Sequence, residues 1–220
     1  MRLPSPSRAA AALALALAAA GPTGCASARP PALSAEAAAW AEGPVRWLLL
    51  AEERRELARL RARGELALFR ESFWLRRDPT PEDPENPALA TFLERVEIAD
   101  RLYDQGDLVG SRSDRGRAFI LLGPPSRIRL ARPDEAGGGS SKASRPAARV
   151  ESWGWVAADL EPGFRRRLPP AGGDGEWRVV FRLERGRARL IAGEPLLESA
   201  AAAWLRPPPE RPPEVQPDRG

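Results

Sequence analysis

The chain has 220 residues, 43% hydrophobic and 29% charged, which is enough for one ordinary domain with tails and too apolar for wholesale disorder. It contains no histidine and one cysteine, which excludes His-based acid–base and nucleophile arrangements, an intramolecular disulfide and a thiolate zinc cluster. The formal charge of +4 arises from 34 basic residues, of which only Lys142 is lysine, against 30 acidic ones; the two signs are interspersed, as in Glu52-Glu53-Arg54-Arg55-Glu56, and this argues against nucleic acid as a partner.

At the N-terminus, Arg2 and Arg8 flank an uninterrupted apolar run from Ala9 to Ala20, the length of a signal-peptide core and too short to span a bilayer comfortably. Thr23-Gly24-Cys25 follows it. A small residue directly before a cysteine at this place resembles the lipobox of bacterial lipoproteins, although Pro22 stands where leucine is usual. In such proteins the thiol is diacylated, the chain is cut before the cysteine, and the new amine is acylated. The expectation is therefore a signal peptide over 1–24, lipidation at Cys25, and attachment to a membrane through that lipid. No Asp follows Cys25, which points to the outer membrane. Ala26-Ser27-Ala28 offers the alternative, cleavage after Ala28 and release as a soluble periplasmic or secreted protein.

Residues 25–43 are Ala- and Pro-rich and read as a tether. From Pro44 the pattern is helical, with Trp47, Leu50, Leu57 and Leu60 on one face. A break at Gly64 precedes a continuation through Leu66, Phe69 and Phe73. The prolines between Asp78 and Pro87 exclude helix there, and Asn86 reads as an N-cap with Pro87 at the first helical position. The next helix would bury Leu89, Phe92, Leu93, Val96, Ala99, Leu102 and Tyr103. Arg117 to Leu122 (RAFILL) reads as a short strand closed by Gly123-Pro124-Pro125. A flexible Gly/Ser/Ala-rich loop spans 133–149. Val150–Val156 and Trp177–Leu183 read as strands, and Arg187–Ile191 pairs with the latter across a hairpin turn. Leu196–Leu205 is a terminal helix, and the Pro-rich 206–220 is a disordered tail. Helices followed by strands define an α+β fold: an N-terminal helical pair packed with a small antiparallel sheet, with a flexible tether and tail.

Several strings in this order are similar to the GWxTD domain, a bacterial family of mostly exported proteins. They are Phe73-Trp74-Leu75-Arg76-Arg77-Asp78-Pro79-Thr80-Pro81, Asn86, Arg95-Val96 with Ala99, Asp114-Arg115-Gly116-Arg117, Gly123-Pro124-Pro125 and Glu151-Ser152-Trp153. The resemblance covers roughly residues 44–205. Gly110-Ser111-Arg112-Ser113-Asp114 departs from the naming motif, with serine at the positions of its tryptophan and threonine. The resemblance implies a fold and brings no activity.

Arg76, Arg77, Asp78, Asp114, Arg115 and Arg117 form the most concentrated charged set near element ends. They are expected either to hold an anionic ligand in a cleft, with Asp78 and Asp114 as paired carboxylates, or to serve their own turns structurally, Asp114 pairing with a nearby arginine; the structural account is preferred. Asp78, Glu82, Asp83 and Glu85 lack the spacing of a calcium loop, so no metal is expected, and no cofactor motif is present. Phe73, Trp74, Trp153, Trp155 and Trp177 read as core rather than as a sugar platform. Together these features predict a binding or structural module of the cell envelope that docks other envelope proteins. The alternative is an extracytoplasmic carboxylate-based hydrolase of saccharide or peptidoglycan type.

Overall fold

Proline and glycine set the element boundaries. In the computed structural model, which describes residues 35–60, 63–131 and 149–206, Pro44 opens a 3₁₀ turn over Pro44–Trp47 after helix α1 (Ala35–Glu42). Helices α2 (Ala51–Leu57) and α3 (Arg63–Leu75) follow, then α4 (Pro87–Tyr103). The Asn86 side chain accepts the amide of Leu89, and Pro87 stands at the first helical position, as the sequence predicts. A 3₁₀ turn over Gly110–Arg112 leads into α5 (Asp114–Leu122). After it come β1 (Arg127–Ala131), β2 (Arg149–Val156), the short α6 (Pro162–Arg165), β3 (Glu176–Glu184), β4 (Arg187–Ala192) and α7 (Glu194–Ala203). The four strands form an antiparallel meander in the order β1-β2-β3-β4, so the class is α+β.

The pleat explains which face is buried. Trp153 and Trp155 on β2, Trp177, Val179 and Phe181 on β3, and Ala188 and Leu190 on β4 share one side, with Trp155 opposite Trp177 and Trp153 opposite Val179. The ring centroids of Trp153 and Phe181 stand 5.1 Å apart, edge to face. Against this side packs α5, whose Gly116, Ala118, Phe119, Ile120, Leu121 and Leu122 are all buried. The expected strand over 117–122 is thus a helix. A helix covered on all sides has an apolar run with no 3.6-residue period, and RAFILL between Gly116 and Gly123 is indistinguishable from a buried strand on pattern alone. The first strand lies beyond Gly123-Pro124-Pro125, in Arg127-Ile128-Arg129-Leu130.

Three other expectations change. The part of the expected tether from residue 35 on belongs to the fold, because residues 35–42 are helical, Ala37 is buried, and the Trp40 ring meets Phe69 and Phe73 edge-on at 5.7 and 5.2 Å. The helix from Pro44 divides, because Leu50 is extended and begins α2 anew, and the break before α3 falls ahead of Gly64. On α4 only Phe92 and Ala99 are fully buried, while Leu93 and Leu102 are more than half exposed; the apolar stripe is narrower than the count of apolar residues suggests. Cys25, most of the expected 133–149 loop and residues 207–220 lie outside the described residues.

Candidate functional site

The charged residues around the end of α3 are drawn inward by one carboxylate that sequence reasoning did not single out. Glu53, on α2, accepts Nη2 of Arg77 at 2.7 Å, Nη1 of Arg77 at 2.9 Å and Nη2 of Arg76 at 3.1 Å. It also reaches back to the amide of Leu50 at 3.0 Å. Arg77 is only 2% exposed and donates further to the carbonyls of Leu48 and Phe73, with its guanidinium 3.6 Å from the Phe73 ring centroid. Burial pushes the Glu53 carboxyl up, but the bonds from Arg77, Leu50 and Arg76 outweigh it and hold the group below its ordinary value. Asp78 is buried and accepts the amide of Thr80 at 3.0 Å, the local role expected of it. Arg76, Arg77 and Asp78 therefore join α2, α3 and the following turn.

The second half of the charged set sits elsewhere and has its own partners. Asp114 opens α5 and accepts the amide of Leu190 on β4 at 2.7 Å, so its partner is a backbone donor rather than the expected arginine. Arg117 makes a two-bond pair with Glu194 at the start of α7, at 2.8 and 2.6 Å. Arg115 lies 3.9 Å from the buried Glu151, which accepts the indole N–H of Trp153. Asp78 and Asp114 share no bonding partner. The segment before α5 is equally structural. Ser113 caps the helix through the amide of Gly116, Trp47 donates to the carbonyl of Ser111 at 2.8 Å, and a Cβ on Gly110 would stand 2.0 Å from the Ala99 carbonyl oxygen.

What remains available is the outer face of the sheet. Register places Arg127 and Arg129 of β1, Arg178 and Arg182 of β3, and Arg189 of β4 on the side away from the helices. Glu176, 5% exposed, lies beneath Arg127, Arg129 and Arg178 and accepts from all three. It reaches β1 across Gly154, where a Cβ would stand 2.8 Å from its Oε2. Bonds from Arg129 and Arg178 hold its carboxyl below the usual range. Arg182 and Arg189 differ: they stand directly opposite one another across β3 and β4, both are exposed, and neither side chain has a hydrogen-bond or ion-pair partner among the described residues. The alternation Arg-x-Arg in β1 and β4 was the signal that could have found this face, once those segments were assigned as strands.

Among the described residues, no group of three or more Asp, Glu, Cys or His is placed to hold a metal, and no helix is long and apolar enough to cross a membrane. No protein-family model, curated protein or solved structure matches the chain.

Proposed function

We propose that the chain is an exported, lipid-anchored binding module of the bacterial cell envelope, attached to the outer membrane through Cys25 and docking an acidic surface of another envelope protein on the arginine face of its sheet. The carrying observation is the Arg182–Arg189 pair. Like charges directly opposite in a sheet oppose folding, and an acidic partner supplies the counter-charge that the domain does not. Support against the hydrolase alternative comes from geometry: Asp78 accepts the amide of Thr80 and Asp114 the amide of Leu190, so the two carboxylates serve the backbone of separate segments. Descent from the GWxTD family belongs to the same proposal and rests on the strings quoted above.

The anchor has a geometric consequence. Covalent reach limits the span from Cys25 to Ala35 to roughly 35 Å, so the domain stays within about its own diameter of the lipid. Two measurements test the proposal. Full-length chain expressed in a Gram-negative host with labelled palmitate takes up label, and Cys25→Ala does not; unlabelled wild type cut after Ala28 overturns the anchor. A poly-glutamate peptide, used as probe, binds the wild type in a salt-dependent manner and binds the double variant Arg182→Ser, Arg189→Ser at least about tenfold more weakly. Equal binding overturns the docking face.

A further inference from the structure

On the opposite side of the sheet from its arginines, the molecule holds a pocket of about 160 Å³, room for roughly five waters at ~30 Å³ each. Its walls come from four parts of the chain: Arg95 on α4, Leu122 at the end of α5, Asp159, Leu160 and Phe164 around α6, and Trp204 after α7. Leu122, Leu160, Phe164 and Trp204 supply its apolar surface, and Arg95, Asp159 and Glu161 supply at least as much polar surface. The bonding states of these three charged groups differ.

Arg95 is the unusual one. Its Nη1 donates to the carbonyl of Ile120 at 2.9 Å, and its guanidinium lies 5.5 Å from the Trp204 ring centroid. Its Nε and Nη2 donate to no acceptor among the described residues, and neither is sealed from solvent. These two donors form one edge of the guanidinium, the side-on fork that matches a carboxylate. Gly123, with φ +81°, has no side chain to block that edge; a Cβ there would stand 2.9 Å from Nη2. Among the described residues no carboxylate lies within ion-pair distance of Arg95, and burial, opposed by Glu94, brings its pKa down to about 10, so it remains charged. Glu161 lines the same pocket, but its two oxygens accept the amides of Gly163 and Phe164. The Asp159 side chain is exposed and has no bonding partner among the described residues.

We infer that this pocket binds a small carboxylate with an apolar body, and that an α-amino acid fits it best: the carboxylate on the Nε–Nη2 edge of Arg95, the ammonium on Asp159, and the side chain against Leu122, Leu160 and Phe164. The site is independent of the lipid anchor and of the arginine face. It is tested on the purified full chain by calorimetric titration with L-leucine, with 4-methylpentanoate, which lacks the ammonium, and with inorganic phosphate. Both carboxylates bind in the sub-millimolar to millimolar range expected of so few atoms. Arg95→Gln weakens both at least about tenfold, and Asp159→Asn weakens leucine alone. Absence of saturable binding, or binding that Arg95→Gln leaves unchanged, overturns the site, and tighter phosphate binding overturns the ligand class. Should Arg95→Gln fail to fold, Asp159→Asn, at an exposed position, still decides: equal loss for leucine and 4-methylpentanoate, or none for either, removes the amino-acid assignment.

Discussion

Glu53 illustrates how a single side chain can hold three pieces of backbone. It is 5% exposed, it ends two arginine side chains, and it closes the first turn of α2. Removing one member of a buried charged set leaves the others uncompensated, at a cost of about 3–5 kcal/mol. Glu53→Gln therefore lowers the urea midpoint at pH 7 sharply, while a joint replacement of Glu53 by Leu and Arg77 by Met loses less than the single change. A double variant weaker than Glu53→Gln would contradict this. The pH dependence follows from the direction of the shift. The folded carboxyl titrates below its ordinary value of 4.5, so its stabilisation is fully present above that value and disappears as pH falls through the lower, folded one. Unfolding followed against pH shows a stability decrease below about pH 4.5 that is smaller in Glu53→Gln.

At the scale of elements, close approach and capping fix α5 between α4 and the sheet. Gly110 lets the 3₁₀ turn touch the α4 backbone, and Gly116 lets α5 touch Gly110, whose carbonyl oxygen would stand 2.0 Å from a Cβ at 116. Gly110→Ala has only backbone to displace, so it costs at least the ~1–3 kcal/mol of an overpacked core and lowers the melting temperature or prevents folding. Ser113→Ala removes a cap whose hydroxyl also donates to the Gly110 carbonyl at 2.7 Å, a loss of about 1–2 kcal/mol read from denaturant unfolding. A Gly110→Ala protein with unchanged stability would show that the turn can move away from α4. On the sheet, Gly154 has the corresponding role for Glu176: a methyl there displaces the carboxylate from Arg127 and Arg129 and loosens β1, detected as faster amide exchange along 127–131.

Across the whole molecule, the helices bury one side of the meander and leave the other to arginine. Neutralisation is uneven: Arg127, Arg129 and Arg178 share Glu176, whereas Arg182 and Arg189 have no acidic partner among the described residues. Arg189→Glu converts a repulsive cross-strand pair into an attractive one and raises stability by about 0.2–1 kcal/mol, while weakening the acidic probe. A thermal shift in the opposite direction would remove the idea that this pair is maintained against folding. The edge strand β1 alternates Arg127 and Arg129 with the half-exposed Ile128 and Leu130, and its charges guard the free edge against pairing with another chain.

The features legible from sequence were those set by near neighbours. Asn86 and Pro87 define a helix start within four residues; aromatic and β-branched content marks β2 and β3 as strands and their aromatic residues as core, and Glu184-Arg185-Gly186 marks the hairpin. Composition and element order gave the α+β class. The tertiary structure decided what distant residues do to each other. RAFILL is a helix buried from Ala118 to Leu122 on nearly every side, a state with no periodic signature to tell it from a strand. The charged cluster separated because its partners lie far along the chain, Glu53 of Arg77 24 residues away and Glu194 of Arg117 77 residues away. Arg95 came to face a pocket because α4, the end of α5, the α6 turn and Trp204 converge there. Caps, turns and strand composition are local and can be read in order; ion pairs, close glycine contacts and cavities exist only once packing brings separate segments together.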